Sequence, residues 1–141
     1  MSTTAPPIDG VLETALYVTD LDRSVAFFAG DLGRPILLRN ERMAALDAGR
    51  RSVLLLFRRG GSSETMATPG GAIPGHDGAG RLHMAFAIAD ADHAMWRDHL
   101  EQRGIAITGE VRWPGGGRSL YFDDPDGHVV ELATPGLWPN Y

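Results

Sequence analysis

The chain has no cysteine, which rules out a disulfide framework and thiolate chemistry. It also has no lysine-rich block. Its basic residues come in short groups such as Arg58-Arg59, and the formal net charge is -5. Backbone phosphates reward clustered positive charge, so no nucleic-acid partner is expected. No apolar run approaches the roughly 18 residues of a membrane-spanning helix, so no membrane partner is expected either. The opening "MSTTAPPIDG" lacks a basic segment followed by an apolar one and reads as a lead-in, not a secretory signal. A cytoplasmic protein fits these absences. What is present is ordinary for a globular fold: 43% hydrophobic and 22% charged residues. A chain of 141 residues makes one domain, 1–141, or two small modules around a shared core.

The chain repeats itself. "LETALYVTDLDRSVAFF" from Leu12 is echoed by "LHMAFAIADADHAMWRD" from Leu82. In that register Glu13 matches His83, Ala15 matches Ala85, Val18 matches Ile88 and Asp20 matches Asp90. The pattern predicts two copies of one supersecondary unit. Each copy opens with a strand of period two. Leu12, Thr14, Leu16 and Val18 share one face, with Glu13, Ala15 and Tyr17 on the other. In the second copy the faces are Leu82, Met84, Phe86 and Ile88 against His83, Ala85 and Ala87. Asp20 and Asp90 then suit helix N-caps, because a carboxylate accepts orphan backbone N–H groups. Leu21, Val25, Phe28 and Leu32 recur at helical spacing. The second helix is expected to run to about residue 103 and stop at Gly104.

Three shorter strands are expected after each helix, at 35–39, 42–48 and 51–57, and at 105–111, 118–122 and 129–134. The predicted fold is α+β, with paired βαβββ modules forming a cleft. The modules are 8–58 and 81–135, joined by a glycine-rich loop, 59–80, and followed by a tail, 136–141. Helices cover the apolar sheet faces and leave the other faces open. Asp123-Asp124-Pro125-Asp126-Gly127 reads as a turn. The long loop either links the modules or covers a site.

Glu131 interrupts the apolar run Val129-Val130-Glu131-Leu132-Ala133. A buried carboxylate is costly without a partner, so an arginine or a metal ion is required nearby. Glu13 and His83 hold equivalent places on the two opening strands. If the sheets pair around a cleft, Glu13, His83 and Glu131 converge. Two carboxylates and an imidazole suit a divalent ion such as Mn, Ni, Zn, Fe or Mg. Each residue also has a plainer reading: His83 as a packed histidine, Glu131 in an ion pair, Glu13 facing solvent. Tyr17 and Tyr121 are candidates to line the pocket, His76 to reach its mouth and Arg118 to clamp an anionic group. Trp113 and Trp138 are candidates for stacking. His128 reads as a turn or surface residue, and His93 and His99 sit in the second helix outside any constellation. No lysine-bearing phosphate loop or nucleophile elbow is present.

The motifs "LETALYVTDLDRSVAFFAGDLG", "LHMAFAI" and "RSLYFDDPDGHVVELATPG" resemble the vicinal oxygen chelate superfamily of glyoxalases, bleomycin-resistance proteins, fosfomycin-modifying transferases and ring-cleaving dioxygenases. The resemblance implies paired βαβββ modules, a homodimer and a metal site at Glu13, His83 and Glu131. Glu13 stands where the family usually has histidine or glutamine. "SVLLLF" stands where four-ligand glyoxalases carry a second glutamate. Two functions remain open. One is a divalent-metal-dependent enzyme acting on a small oxygen-chelating substrate, by isomerase or lyase-type proton transfer, with Glu13 or Glu131 as base. The other is a bleomycin-resistance-type binding protein with an aromatic, acidic groove.

Overall fold

A computed structural model describes residues 4–141, so the first three residues of the lead-in lie outside the described residues. Period-two patterning gives β1 (Glu13–Val18), which buries Leu16 and Val18 and turns Glu13 and Tyr17 the other way. Asp20 then caps α1 (Leu21–Val25), its carboxylate accepting the Arg23 N–H at 3.1 Å. The helix widens into a π-helical stretch, Ala26–Asp31. β2 (Ile36–Arg39), β3 (Met43–Gly49) and β4 (Ser52–Arg58) complete the first module. The sheet order is β1-β4-β3-β2, with β1 and β4 parallel.

The second module repeats this plan. β7 (His83–Ala87) leads through a 3-10 turn, Asp90–Asp92, into α2 (His93–Gln102). β8 (Ile107–Arg112), β9 (Arg118–Asp123) and β10 (Val129–Ala133) follow, in the order β7-β10-β9-β8. α2 stops where expected. Gly104 takes φ +70°, its N–H bonds to the Glu101 carbonyl, and the Ile105 N–H bonds to that of Leu100. That pair of bonds is the Schellman motif, and its left-handed residue favours glycine.

Three expectations need correction. Asp90 does not cap α2, because the 3-10 turn sets the helix start back to His93, and the Asp90 carboxylate pairs with Arg118 instead. The loop 59–80 is not structureless. It contains a hairpin of β5 (Met66–Thr68) and β6 (Gly71–Ile73). His128 is fully buried, not a surface turn residue. Its Nδ1 accepts the Leu82 N–H at 3.0 Å, and its Nε2–H donates to the Tyr17 carbonyl at 2.7 Å.

The second of those bonds matters because it joins the two modules. Asp126, in the same turn, accepts the Thr19 N–H at 3.0 Å and the Thr19 hydroxyl at 2.7 Å. Behind the sheets lies one continuous core. Leu16, Phe28, Leu54 and Leu56 of the first module join Leu100, Leu120, Phe122 and Leu132 of the second. Phe27 bridges them, edge-on to Phe28 at 5.0 Å and tilted against Phe122 at 6.1 Å. Each core-facing strand residue thereby fixes its neighbours on the opposite, open face.

Candidate metal centre

Strand register shows how far the duplication extends to chemistry. Ala85 pairs with Glu131 across β7 and β10, and Ala15 pairs with Leu55 across β1 and β4. Leu55 is therefore the counterpart of Glu131. Likewise His83 pairs with Val129 and Glu13 with Val53, so Glu13 is the counterpart of His83. The first module offers one ligand-type side chain where the second offers two.

His83 and Glu131 meet on the open face of the second sheet, with His83 Nε2 3.3 Å from Glu131 Oε1. The His83 Nδ1–H donates to the Val129 carbonyl at 3.0 Å, which leaves the Nε2 lone pair directed at the carboxylate. Two electron-rich atoms so placed call for a cation between them, either a proton or a metal ion. Two ligands about 2.1 Å from one ion lie roughly 3.0–3.4 Å apart at ordinary coordination angles, so the pair fits a divalent ion. The other carboxylate oxygen is also held. Ser119 Oγ–H donates to Glu131 Oε2 at 2.5 Å, and Trp113 Nε1–H donates to Ser119 Oγ at 2.8 Å. Such supporting bonds fix a ligand's orientation and leave one oxygen for the ion. Glu131 is only 4% exposed, so this chain also offsets part of its desolvation cost.

Tyr121 stands beside Glu131 in register and stacks on the His83 ring at 6.3 Å. Burial and the Glu131 charge push its phenol above the ordinary value of 10.0, so it is a hydrogen-bond donor at neutral pH.

The other candidates are placed elsewhere. Glu13 is exposed and does not join His83 and Glu131. Among the described residues no three acidic, histidine or cysteine side chains gather closely enough to hold an ion. Tyr17 and His76 do come together, but on the first module, with Tyr17 Oη 2.8 Å from His76 Nδ1. The His76 ring sits edge-on to Phe57 at 4.6 Å. Gly78 lies flat on the Tyr17 ring, where any Cβ would collide with it. The long loop is thus anchored to the first sheet's open face. Arg118 points to the α2 side and binds Asp90, away from Glu131. Trp113 supports Ser119 by its indole N–H. Trp138 is 65% exposed in the C-terminal tail. Among the described residues neither tryptophan stacks on Tyr17 or Tyr121, whose ring partners are Phe57, His76 and His83.

Ser119 is the functional residue that sequence reasoning missed. Its alternation with Tyr121 on β9 placed it on the open face, but only the β9–β10 register sets it against Glu131.

Comparison with known proteins agrees with this fold. Residues 10–132 match the profile of the Glyoxalase/Bleomycin resistance protein/Dioxygenase superfamily. The crystal structure of a lactoylglutathione lyase from Agrobacterium tumefaciens superposes with a TM-score of 0.86 at 33% identity, covering 95% of this chain and 99% of that one. Glutathione transferase FosA of Serratia marcescens is 32% identical over 122 residues, 86% of this chain and 78% of the relative. Metallothiol transferase FosB of Bacillus licheniformis is 29% identical over 130 residues, 92% and 77% of the respective chains.

Proposed function

The chain belongs to the Glyoxalase/Bleomycin resistance protein/Dioxygenase superfamily, and on that premise we propose that it is a divalent-metal-dependent enzyme acting on a small substrate with two neighbouring oxygen atoms, by proton transfer of the isomerase or lyase kind. The observation that carries this reading is the His83 Nε2–Glu131 Oε1 approach with both outer atoms already hydrogen-bonded. His83 and Glu131 would hold the ion. Glu13 would be the third ligand or the base, brought by a second copy of the chain in a homodimer. Val11 and Leu12, beside Glu13, are 78% and 66% exposed, which suits burial against such a copy. When bound, the ion supplies Lewis-acid polarisation of substrate oxygens.

The protein's own groups divide the remaining work. Glu13 has no hydrogen bond or ion pair among the described residues, so it is freer to move a proton than Glu131, which Ser119 restrains. Tyr121 donates a hydrogen bond to a substrate oxygen. Ala15, Val53 and Leu55 make one open face apolar, so the substrate's carbon skeleton packs there. Arg118 is turned away towards Asp90, so it does not serve an anionic substrate group beside Glu131.

Turnover tests the proposal. Protein reconstituted separately with Mn, Ni, Zn and Fe is offered small vicinal diols, 2-oxoaldehydes and their thiol adducts. Metal-dependent turnover is expected, lost in Glu13→Gln while metal content is retained. Turnover that persists at the same rate in Glu131→Gln would overturn it.

A further inference from the structure

A second polar cavity lies across the second sheet from Glu131, between α2 and the edge strand β8. It encloses about 260 Å³, and His93, Arg97, Glu110, Arg112 and Arg118 supply its polar wall. Strand alternation places them there. Glu110 pairs with Leu120, a core residue, so Glu110, Arg112 and Arg118 all point towards α2.

Packing alone leaves two features of this cavity unexplained. First, Arg112 and Arg118 stand directly opposite each other across β8 and β9, and like charges in that relation destabilise a sheet. Arg118 spends only Nη2 on Asp90, at 3.0 Å, and Arg97 spends only Nη1 on Glu110. Arg112 makes no ion pair or hydrogen bond among the described residues. Most guanidinium donors here have no protein acceptor. Second, His93 is 6% exposed yet its ring makes no hydrogen bond among the described residues. Burial, then Arg118 and Arg97, push its pKa below the ordinary 6.5, so the ring is neutral and can donate one N–H.

We infer that this cavity binds a small oxyanion, the size of phosphate or a short carboxylate, between the Arg112–Arg118 pair and His93. Guanidinium forks match the oxygens of such anions in pairs. A bound anion would relieve the Arg112–Arg118 repulsion and give His93 a partner. Two surface ion pairs on a helix flank account for Arg97 and Arg118 but leave His93 and Arg112 unexplained. On this inference Arg118 would meet an anion behind the sheet, not beside Glu131. The site does not depend on the metal centre.

The test is a titration of isotope-labelled, metal-free protein, followed by amide resonances. Sodium phosphate and sodium malonate are added separately against sodium chloride at matched ionic strength and neutral pH. Saturable shifts at Ala94, Arg112 and Arg118 are expected, and the tighter of the two salts identifies the phosphoryl or carboxylate class. His93→Phe and Arg112→Gln should each weaken binding at least about tenfold, the loss of one good charge-assisted or buried hydrogen bond. Arg81→Gln, at an ion pair with Asp123 elsewhere, should leave it unchanged. Arg112 is exposed, so its variant decides the matter if His93→Phe fails to fold. Shifts that do not saturate, or equal binding by Arg112→Gln, would overturn the inference.

Discussion

Ser119 holds Glu131 through a single hydroxyl, and its removal separates metal affinity from fold. Ser119→Ala leaves Glu131 Oε2 and the Trp113 indole N–H without their shared partner. Loss of such an outer hydrogen bond typically costs 10–100-fold in metal affinity, so a drop of about that size is expected in chelator-competition titrations. Unchanged affinity would mean the Trp113–Ser119–Glu131 chain is packing alone. Asp124 gives a pH signature. Burial pushes its carboxyl above the ordinary 3.8, against two backbone N–H bonds to Oδ1 from Asp126 and His128. The folded form therefore holds the proton to higher pH than the unfolded chain does. Asp124 then costs stability at neutral pH, and that cost disappears as pH falls through the raised value towards 3.8. An amide oxygen keeps both backbone bonds, so Asp124→Asn should remain folded and lose this component of the pH dependence. Urea midpoints measured from neutral to acid pH check it. At this scale Glu131 was legible as an anomaly, because a carboxylate inside an apolar run must have a partner. His128 and Trp113 were not, since their roles depend on hydrogen bonds to Leu82, Tyr17 and Ser119, which alternation does not encode.

Elements were easier to read than contacts. The strands fall within about two residues of their expected ends, since burial of one face enforces a period of two. Asp20 and Gly104 act where their chemistry predicts. Asp90 fails as a cap because one 3-10 turn shifts the helix start, and nothing in "ADADHAMW" marks that turn. The β5–β6 hairpin was hidden because its strands are short and glycine-flanked. Gly104→Ala puts a Cβ into a left-handed conformation and should cost about 1 kcal/mol, read as a lower urea midpoint. No loss of stability would show that α2 can end without that residue.

For the whole molecule, the repeat announced two modules, and the register explains why they are not equivalent. Leu55 in place of a second glutamate leaves the first sheet with Glu13 as its sole open-face match to the pair on the second. Within one chain Glu13 stays apart from that pair, so the site proposed above would take it from a second copy. In the proposed homodimer, Leu12→Arg is expected to convert dimers to monomers in sedimentation velocity and to abolish turnover while metal content is retained, because Glu13 is no longer delivered. Among the described residues no helix is long and apolar enough to cross a membrane. His83 and Glu131 are the proposed holders of a divalent ion. Metal content by inductively coupled plasma mass spectrometry, on protein purified without a tag and reconstituted with Mn, Ni, Zn or Fe, tests this most directly. About one ion per chain in the wild type, lost in both His83→Ala and Glu131→Gln, is the predicted result. Full metal content in either variant, or none in the wild type with any of the four ions, would contradict it.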